Sequence, residues 1–230
     1  MKKILSLMAA VLTASLTFVA CDDDPVPSPQ YFSFVSVNQD KAGENRTSFT
    51  TDDGKHLVPQ NFSGPMKIKE GTRAIVYFRL QDEKDGELEN IPIYVNQMDT
   101  CFTIGKTARV KDMDEAAKLG NNGMSLYLQP YYPQTTSKYF NFYVGINAKD
   151  IKKHSFTLAY LEDNQDSDGS ATFMLCYDDA NDLSALDTWF WVSIPVDEFS
   201  DIYKDKTKIK VIIKTRTQGL QEITMPVPGK

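Results

Sequence analysis

Apolar residues recur at every second position along most of this chain, and that period decides what it can fold into. In KYFNFYVGIN, Phe140, Phe142, Val144 and Ile146 fall on one side, and Tyr139, Asn141, Tyr143 and Gly145 on the other. HSFTLAYL sets Phe156, Leu158 and Tyr160 against Ser155, Thr157 and Ala159, and ATFMLCY sets Phe173, Leu175 and Tyr177 against Thr172, Met174 and Cys176. In KTKIKVIIKT, Ile209, Val211 and Ile213 alternate with Lys208, Lys210, Ile212 and Lys214. A strand places successive side chains on opposite faces, so each segment predicts a strand with one face in a core. The lysines of the last segment read as a solvated face or as edge protection, rather than as a phosphate-binding patch. The fold class is all-β.

Two domains are expected. YFSFVSV, HLVP, MKIKEG, RAIVYFRLQD and IPIYVNQMDTCF alternate with TDDG, NFSGP and KDGELEN. Asp and Asn in those separators bond their own backbone and Gly supplies positive φ, which is turn chemistry. Five short strands in such a span suit a small OB-like barrel over residues 31–110. KDMDEAAKLG is the one clear helical stretch, with Gly120 as its stop, and residues 108–123 read as the boundary. Strands near 124–131, 138–146, 154–161, 171–177, 188–195 and 207–216 then predict a β-sandwich over residues 111–230. VDEFSDIY predicts a helical turn before the last long strand.

The N-terminus carries an address. Lys2 and Lys3 precede an apolar run, Ile4 to Ala20, diluted by Ser6, Thr13, Ser15 and Thr17. The run is too short and too polar for a membrane span, which needs about 20 apolar residues, and has the build of a cleaved signal peptide, residues 1–20. Cys21 follows Val19 and Ala20, where a lipoprotein signal requires its acylated thiol, although Phe18 stands where Leu is usual. Two or three acyl chains anchor a protein stably in a lipid bilayer. Asp22, Asp23 and Asp24 resemble the surface-export signal of Bacteroidetes lipoproteins; in enterobacteria an Asp here would mean inner-membrane retention, and a plain solvated tether is the third reading. PVPSP stiffens residues 21–30 into a spacer. The expected location is the outer membrane, facing the cell surface.

The chemistry of the chain is sparse. Loss of the leader with Lys2 and Lys3 takes the net charge from −6 to −8, so no basic patch invites nucleic acid. The only histidines are His56 and His154, and neither HExxH, CxxC nor GxSxG occurs. TIGKT ends like a phosphate loop, but Thr100 stands where its first Gly is needed, and it reads as a turn. Asn164, Asp166 and Asp168 with Gly169 fit the opening of a calcium loop. Leu175 stands where the bidentate Glu belongs, and Asp-Gly between strands is ordinary hairpin chemistry, so no metal is assigned. DDAND at 178–182 reads as solvated loop acids rather than a catalytic pair. Cys101 and Cys176 are either two small buried hydrophobes or a disulfide. No cofactor and no enzymatic activity are expected.

The order of features is familiar. A lipobox cysteine with acidic residues is followed by FTTDDGKHLVP, by KIKEGTRAIVYFRLQD with its K-x-G-x-R step, by KYFNFYVGIN and HSFTLAYLED, and by TWFWVSIPVDEF. The chain resembles the NigD-like lipoproteins of Bacteroidetes over essentially its whole length. The resemblance implies an N-terminal OB-like barrel and a C-terminal β-sandwich, and a bacteriocin-associated, immunity-like role as one possibility by name. It assigns no role to Cys101 or Cys176.

Aromatic residues are the remaining candidates. Tyr127, Tyr131, Tyr132, Tyr139 and Tyr143 cluster, and Trp189 and Trp191 lie opposite Phe190 and Val192. If Phe190 and Val192 enter the core, both indoles point away from it, unless that face too is covered. Exposed Trp and Tyr stack on sugars and make protein hot spots. Trp189, Trp191, Tyr131 and Tyr132 are therefore the candidate contact residues. The expected function is a non-enzymatic envelope lipoprotein that binds a protein or glycan partner, with a glycan-binding module or the immunity-like role as alternatives.

Overall fold

The structure, a computed structural model, describes residues 30–39, 47–61, 67–100, 102–127, 133–165, 168–182, 184 and 187–228. The signal peptide, Cys21, Asp22, Asp23, Asp24 and the tether lie outside the described residues, as do Cys101, Tyr131, Tyr132 and Asp166. Among the described residues no helix is long and apolar enough to cross a membrane. The chain forms two compact units, Met1–Thr100 and Cys101–Lys230.

The first unit contains β1 (Tyr31–Gln39), β2 (Thr47–Thr51), β3 (His56–Pro59), β4 (Arg73–Leu80) and β5 (Asn90–Asp99), closed into a barrel in the order β1-β2-β3-β5-β4. All neighbours are antiparallel except β3 and β5, which run parallel. Closure leaves no free sheet edge. Val35, Val37, Phe49, Leu57, Val76, Ile91 and Ile93 fill the interior. The strand expected over MKIKEG is absent: residues 67–71 are bends and a turn. Gly71 holds φ +76 there, donates its N–H to the Val37 carbonyl, and ends any strand before Thr72. The fifth strand is instead β2, whose Thr-rich sequence has only Phe49 as an apolar signal. Two separately noted features meet here. Arg73, the last residue of the K-x-G-x-R step, donates both guanidinium nitrogens to Asp52 of the TDDG turn at 2.8 and 2.9 Å, and both residues are buried.

The second unit comprises β6 (Phe102–Ile104), β7 (Lys106–Val110), α1 (Met113–Ala117), β8 (Ser125–Leu126), β9 (Gln134–Thr135), β10 (Tyr139–Asn147), β11 (Ser155–Leu161), β12 (Ser170–Asp178), β13 (Asp187–Pro195), α2 (Ser200–Tyr203), β14 (Lys208–Thr215) and β15 (Gly219–Met225). They build two sheets. Sheet I has the order β6-β13-β10-β8, with β9 also on β10; sheet II has β15-β14-β12-β11-β7. Phe140, Phe142, Val144, Phe156, Leu158, Phe173, Phe190, Val192, Ile209 and Val211 pack between them. These are the residues that the alternation placed inward.

Three expectations change. β6 and β7 belong to the sandwich, so the barrel ends at Thr100 rather than at residue 110. TIGKT is no turn: Gly105 is the point where one extended segment leaves sheet I as β6 and enters sheet II as β7. A Cβ there would push the end of the Ile194 side chain aside and stand 3.0 Å from the Phe156 carbonyl oxygen, so glycine suits this tight crossing. The helix read as a boundary, α1, instead covers the part of the outer face of sheet II formed by β7, β11 and β12, with Ala116 against Ala159, Leu161, Met174 and Cys176. With that cover over Met174 and Cys176, β12 is buried on both faces from Ser170 to Tyr177.

Candidate functional site

The outer face of sheet I carries exposed large aromatics, and its residues follow from strand register. β10 pairs antiparallel with β13 so that Tyr143 faces Trp191, Gly145 faces Trp189, and Asn147 faces Asp187. On the other flank Ser125 faces Gly145, and Tyr127 donates its N–H to the Tyr143 carbonyl at 3.1 Å. Alternation puts all of these on the face opposite Phe190, Val192 and Val144. The face is thus three rows. The first is aromatic, the second is Ser125, Gly145 and Trp189, and the third is polar.

The aromatic residues of the first two rows are tightly joined. Tyr143 lies 5.1 Å from Trp191 and 5.6 Å from Trp189 between ring centroids, while Tyr127 stands edge-on to Tyr143 at 6.0 Å and to Trp189 at 6.2 Å. Such offset and edge-to-face pairs are the favoured aromatic geometries. The two tryptophans differ. Both leave the core, as the alternation requires, but Trp191 is only 3% exposed and its end of the face is closed, with Asn141 and Ser193 buried beside it. Trp189 is 37% exposed and Tyr127 40%. Trp189 lies across Gly145, where a Cβ would come within 2.7 Å of the indole, so the absence of a side chain on β10 seats the ring.

Arg216 organises the polar row. It sits in the turn after β14 and reaches from sheet II to sheet I. Its Nη1 and Nη2 donate to Asp187 Oδ1 and Oδ2 at 2.8 and 3.1 Å, and Nε and Nη2 donate to Ser125 Oγ at 3.1 and 2.6 Å. Nη1 also donates to Asn147 Oδ1, whose amide Nδ2 donates to the Ser184 carbonyl at 3.0 Å. The guanidinium holds the Asp187 carboxyl below the usual carboxylate range. Beside this row opens a cavity of about 240 Å³ lined by Asn122, Gly123, Asn147, Tyr177, Asp179, Ser184 and Arg216.

The cavity lies beside the DDAND loop, where Asp178 is exposed as expected but the other two acids are not. Asp179 and Asp182 are 9% and 8% exposed. Asp179 accepts from Asn122 Nδ2 at 2.8 Å and from the Asn181 N–H at 2.9 Å. Asp182 accepts from the N–H groups of Asp150 and Lys149 at 2.7 and 3.2 Å and from Lys153 Nζ at 3.1 Å. Chiefly through the Asp150 N–H, its carboxyl is drawn down to about 2. Ala180 and Asn181 hold φ +49 and +58, left-handed values that these bonds sustain. His154, buried behind the loop, shares a 2.7 Å hydrogen bond with the Tyr177 hydroxyl.

The remaining candidates separate. Asp168 is bound to Lys208 and Lys210 at 2.7 and 3.3 Å and accepts from Ser170, chemistry that ties a hairpin rather than a cation. Asp166 lies outside the described residues, and among the described residues no group of acids, histidines or cysteines is arranged to hold a metal. Cys176 is a buried free thiol whose pKa burial pushes up to about 12. Arg216, Asp187, Asn147 and Ser125 were not singled out in the sequence.

An OB-like barrel followed by a two-sheet sandwich, with an aromatic outer face, defines the class of protein. The chain matches the NigD-like N-terminal OB domain over residues 34–100 and the NigD-like C-terminal beta sandwich domain over residues 111–227. It belongs to the NigD-like family. Similar solved structures include a protein of unknown function from Bacteroides vulgatus (17% identity, 86% of this chain and 91% of the other, TM-score 0.65). A candidate lipoprotein from Bacteroides fragilis aligns at 14% identity over 87% and 100% of the two chains, TM-score 0.57. A NigD-like immunity protein from Bacteroides caccae aligns at 15% identity over 88% and 93%, TM-score 0.52. Likeness at these identities shows the fold. None of the curated proteins compared with the chain matches it.

Proposed function

We propose that the chain is a lipid-anchored envelope protein that binds a partner and performs no chemistry, with the open end of sheet I as its contact surface. One observation carries this reading: the outer face of sheet I leaves the large aromatics Trp189 and Tyr127 exposed together, beside a cavity lined in part by Asn122, Asn147, Asp179 and Ser184. Large aromatics exposed together and held in place are the usual anchors of binding surfaces. The carboxylates near the cavity support the same reading, because Asp179, Asp182 and Asp187 are each committed to backbone or guanidinium donors. Acylation at Cys21 and the aspartates after it would hold the two units off an outer membrane.

Crosslinking in intact cells, followed by affinity capture and mass spectrometry, tests the proposal. The wild-type chain is expected to enrich a partner, and Trp189→Ala to lose it. Capture of the chain alone would exclude a protein partner, and the reading falls if Trp189→Ala then changes retention on glycans no more than it changes capture. The name of the Bacteroides caccae neighbour makes a narrower demand, that the captured partner be a toxin.

A further inference from the structure

We propose that the open end of sheet I is a carbohydrate site for a neutral sugar chain, with one sugar against Trp189 and the next at Asp187 and the cavity beside it. This rests on the binding reading above and names its ligand.

A pyranose ring has an apolar face of C–H groups and a rim of hydroxyls. It therefore needs an aromatic plane and, one sugar away, hydrogen-bonding groups that lie in the ring's plane. The three rows supply both at the right spacing. Trp189 is seated on Gly145 and flanked by Tyr127 at an interplanar angle of 84°, so the indole is a floor and the phenol a wall. Same-face neighbours along a strand are about 7 Å apart, which sets Asp187 and Asn147 next to the indole. Asp187 is 48% exposed in its side chain and is clamped by Arg216 in a two-bond fork, which leaves lone pairs on both carboxylate oxygens for vicinal hydroxyls. Arg216 is a positioning residue here, since its donors are already spent on Asp187, Asn147 and Ser125. Groups fixed before the ligand arrives lose little freedom on binding.

Two features select a sugar over a protein anchor. The cavity of about 240 Å³ is of the size of a single sugar rather than of the larger pockets that run from about 300 Å³ upward, and it sets Asn122, Asn147, Asp179 and Ser184 beside the apolar surface of Tyr177, the mixture of hydroxyl partners and C–H contact that a sugar ring presents. The groups at the two proposed subsites favour a neutral sugar: Arg216 is matched by Asp187, and Lys214 is held at Asn121 near Asp179, which leaves among the described residues there no uncommitted cation for a uronic or sialic acid.

The test is retention of the full chain in detergent on immobilised neutral polysaccharides (mannan, β-glucan, starch, arabinogalactan and xylan), with polygalacturonate as the acidic comparison. Binding to at least one neutral polymer is expected, with a blue shift or quenching of tryptophan emission. Trp189→Ala is expected to weaken it tenfold or more, Trp189→Phe less, and Asp187→Ala tenfold or more. Leu220→Ala, on an exposed position of β15, is expected to leave it unchanged. Thermal melts of each variant separate lost binding from lost fold, and Trp189→Phe keeps the question open to decision should Trp189→Ala not fold. Retention on no neutral polymer, retention on polygalacturonate alone, or full retention by a folded Trp189→Ala would each overturn the inference. If no polymer binds while Trp189→Ala still abolishes capture in cells, the sugar reading fails and the contact surface stands. If neither experiment responds to Trp189→Ala, both fail.

Discussion

Asp52 and Arg73 are 5% exposed in their side chains and joined by two bonds, with the guanidinium 5.5 Å above the Phe34 ring. Removing one member of such a pair leaves a buried charge without its partner, which costs about 3–5 kcal/mol. Asp52→Ala should lower stability by that amount in urea titrations, and adding Arg73→Met should recover part of it. Asp182 makes a different prediction, in acid. Its folded carboxyl lies at about 2, below the ordinary value of about 3.9, so the unfolded chain takes up the proton first. Its contribution is complete above about pH 4 and is lost as the pH falls toward about 2. Asp182→Asn should flatten that limb of a stability–pH curve, read by melting temperature between pH 2 and 5.

At the level of elements, three residues beyond the end of α1 Gly120 takes φ +149 against the Tyr177 backbone, and a Cβ there would lie 2.5 Å from the Tyr177 carbonyl carbon. Gly120→Ala forces the helix off β12 and should cost more than about 1 kcal/mol, with loss of the α1 cover seen as faster hydrogen exchange along β12. The legibility of elements has the same physical root. β10 to β14 were readable because one face of each enters the core and so alternates. β2 and β15 were not, because they carry few inward apolar residues: in β15 only Met225 is buried, and Leu220 is half exposed. β6 and β7 were misplaced because periodicity reports a strand and not which sheet it joins. The site divides likewise. Trp189 was visible as an outward aromatic, but Trp191 gave the same signal and is buried. Arg216 was invisible, since its partners Ser125 and Asp187 lie 91 and 29 residues away.

For the whole molecule, the proposed lipid anchor predicts behaviour that neither unit has alone. Cys21→Ser should move the chain from the membrane to the soluble fraction, and protease added to intact cells should remove the wild-type protein; survival until lysis would place it inside. The register of the sandwich has a further consequence, in time rather than in space. Every barrel strand lies between Tyr31 and Asp99, whereas β6 pairs with residues 191–193 and Met124 bridges to Thr215. A ribosome working from the N-terminus therefore releases a finished barrel while β6 and β7 still have bare flanks, and long-range pairing is the slow part of folding. Both tryptophans belong to the late unit, so on refolding their fluorescence should lag the far-ultraviolet dichroism. A chain cut short before Lys208 would carry a sound barrel on a sandwich whose innermost strand, β12, has lost the neighbour along Ser170 to Leu175 and is free to pair with another copy.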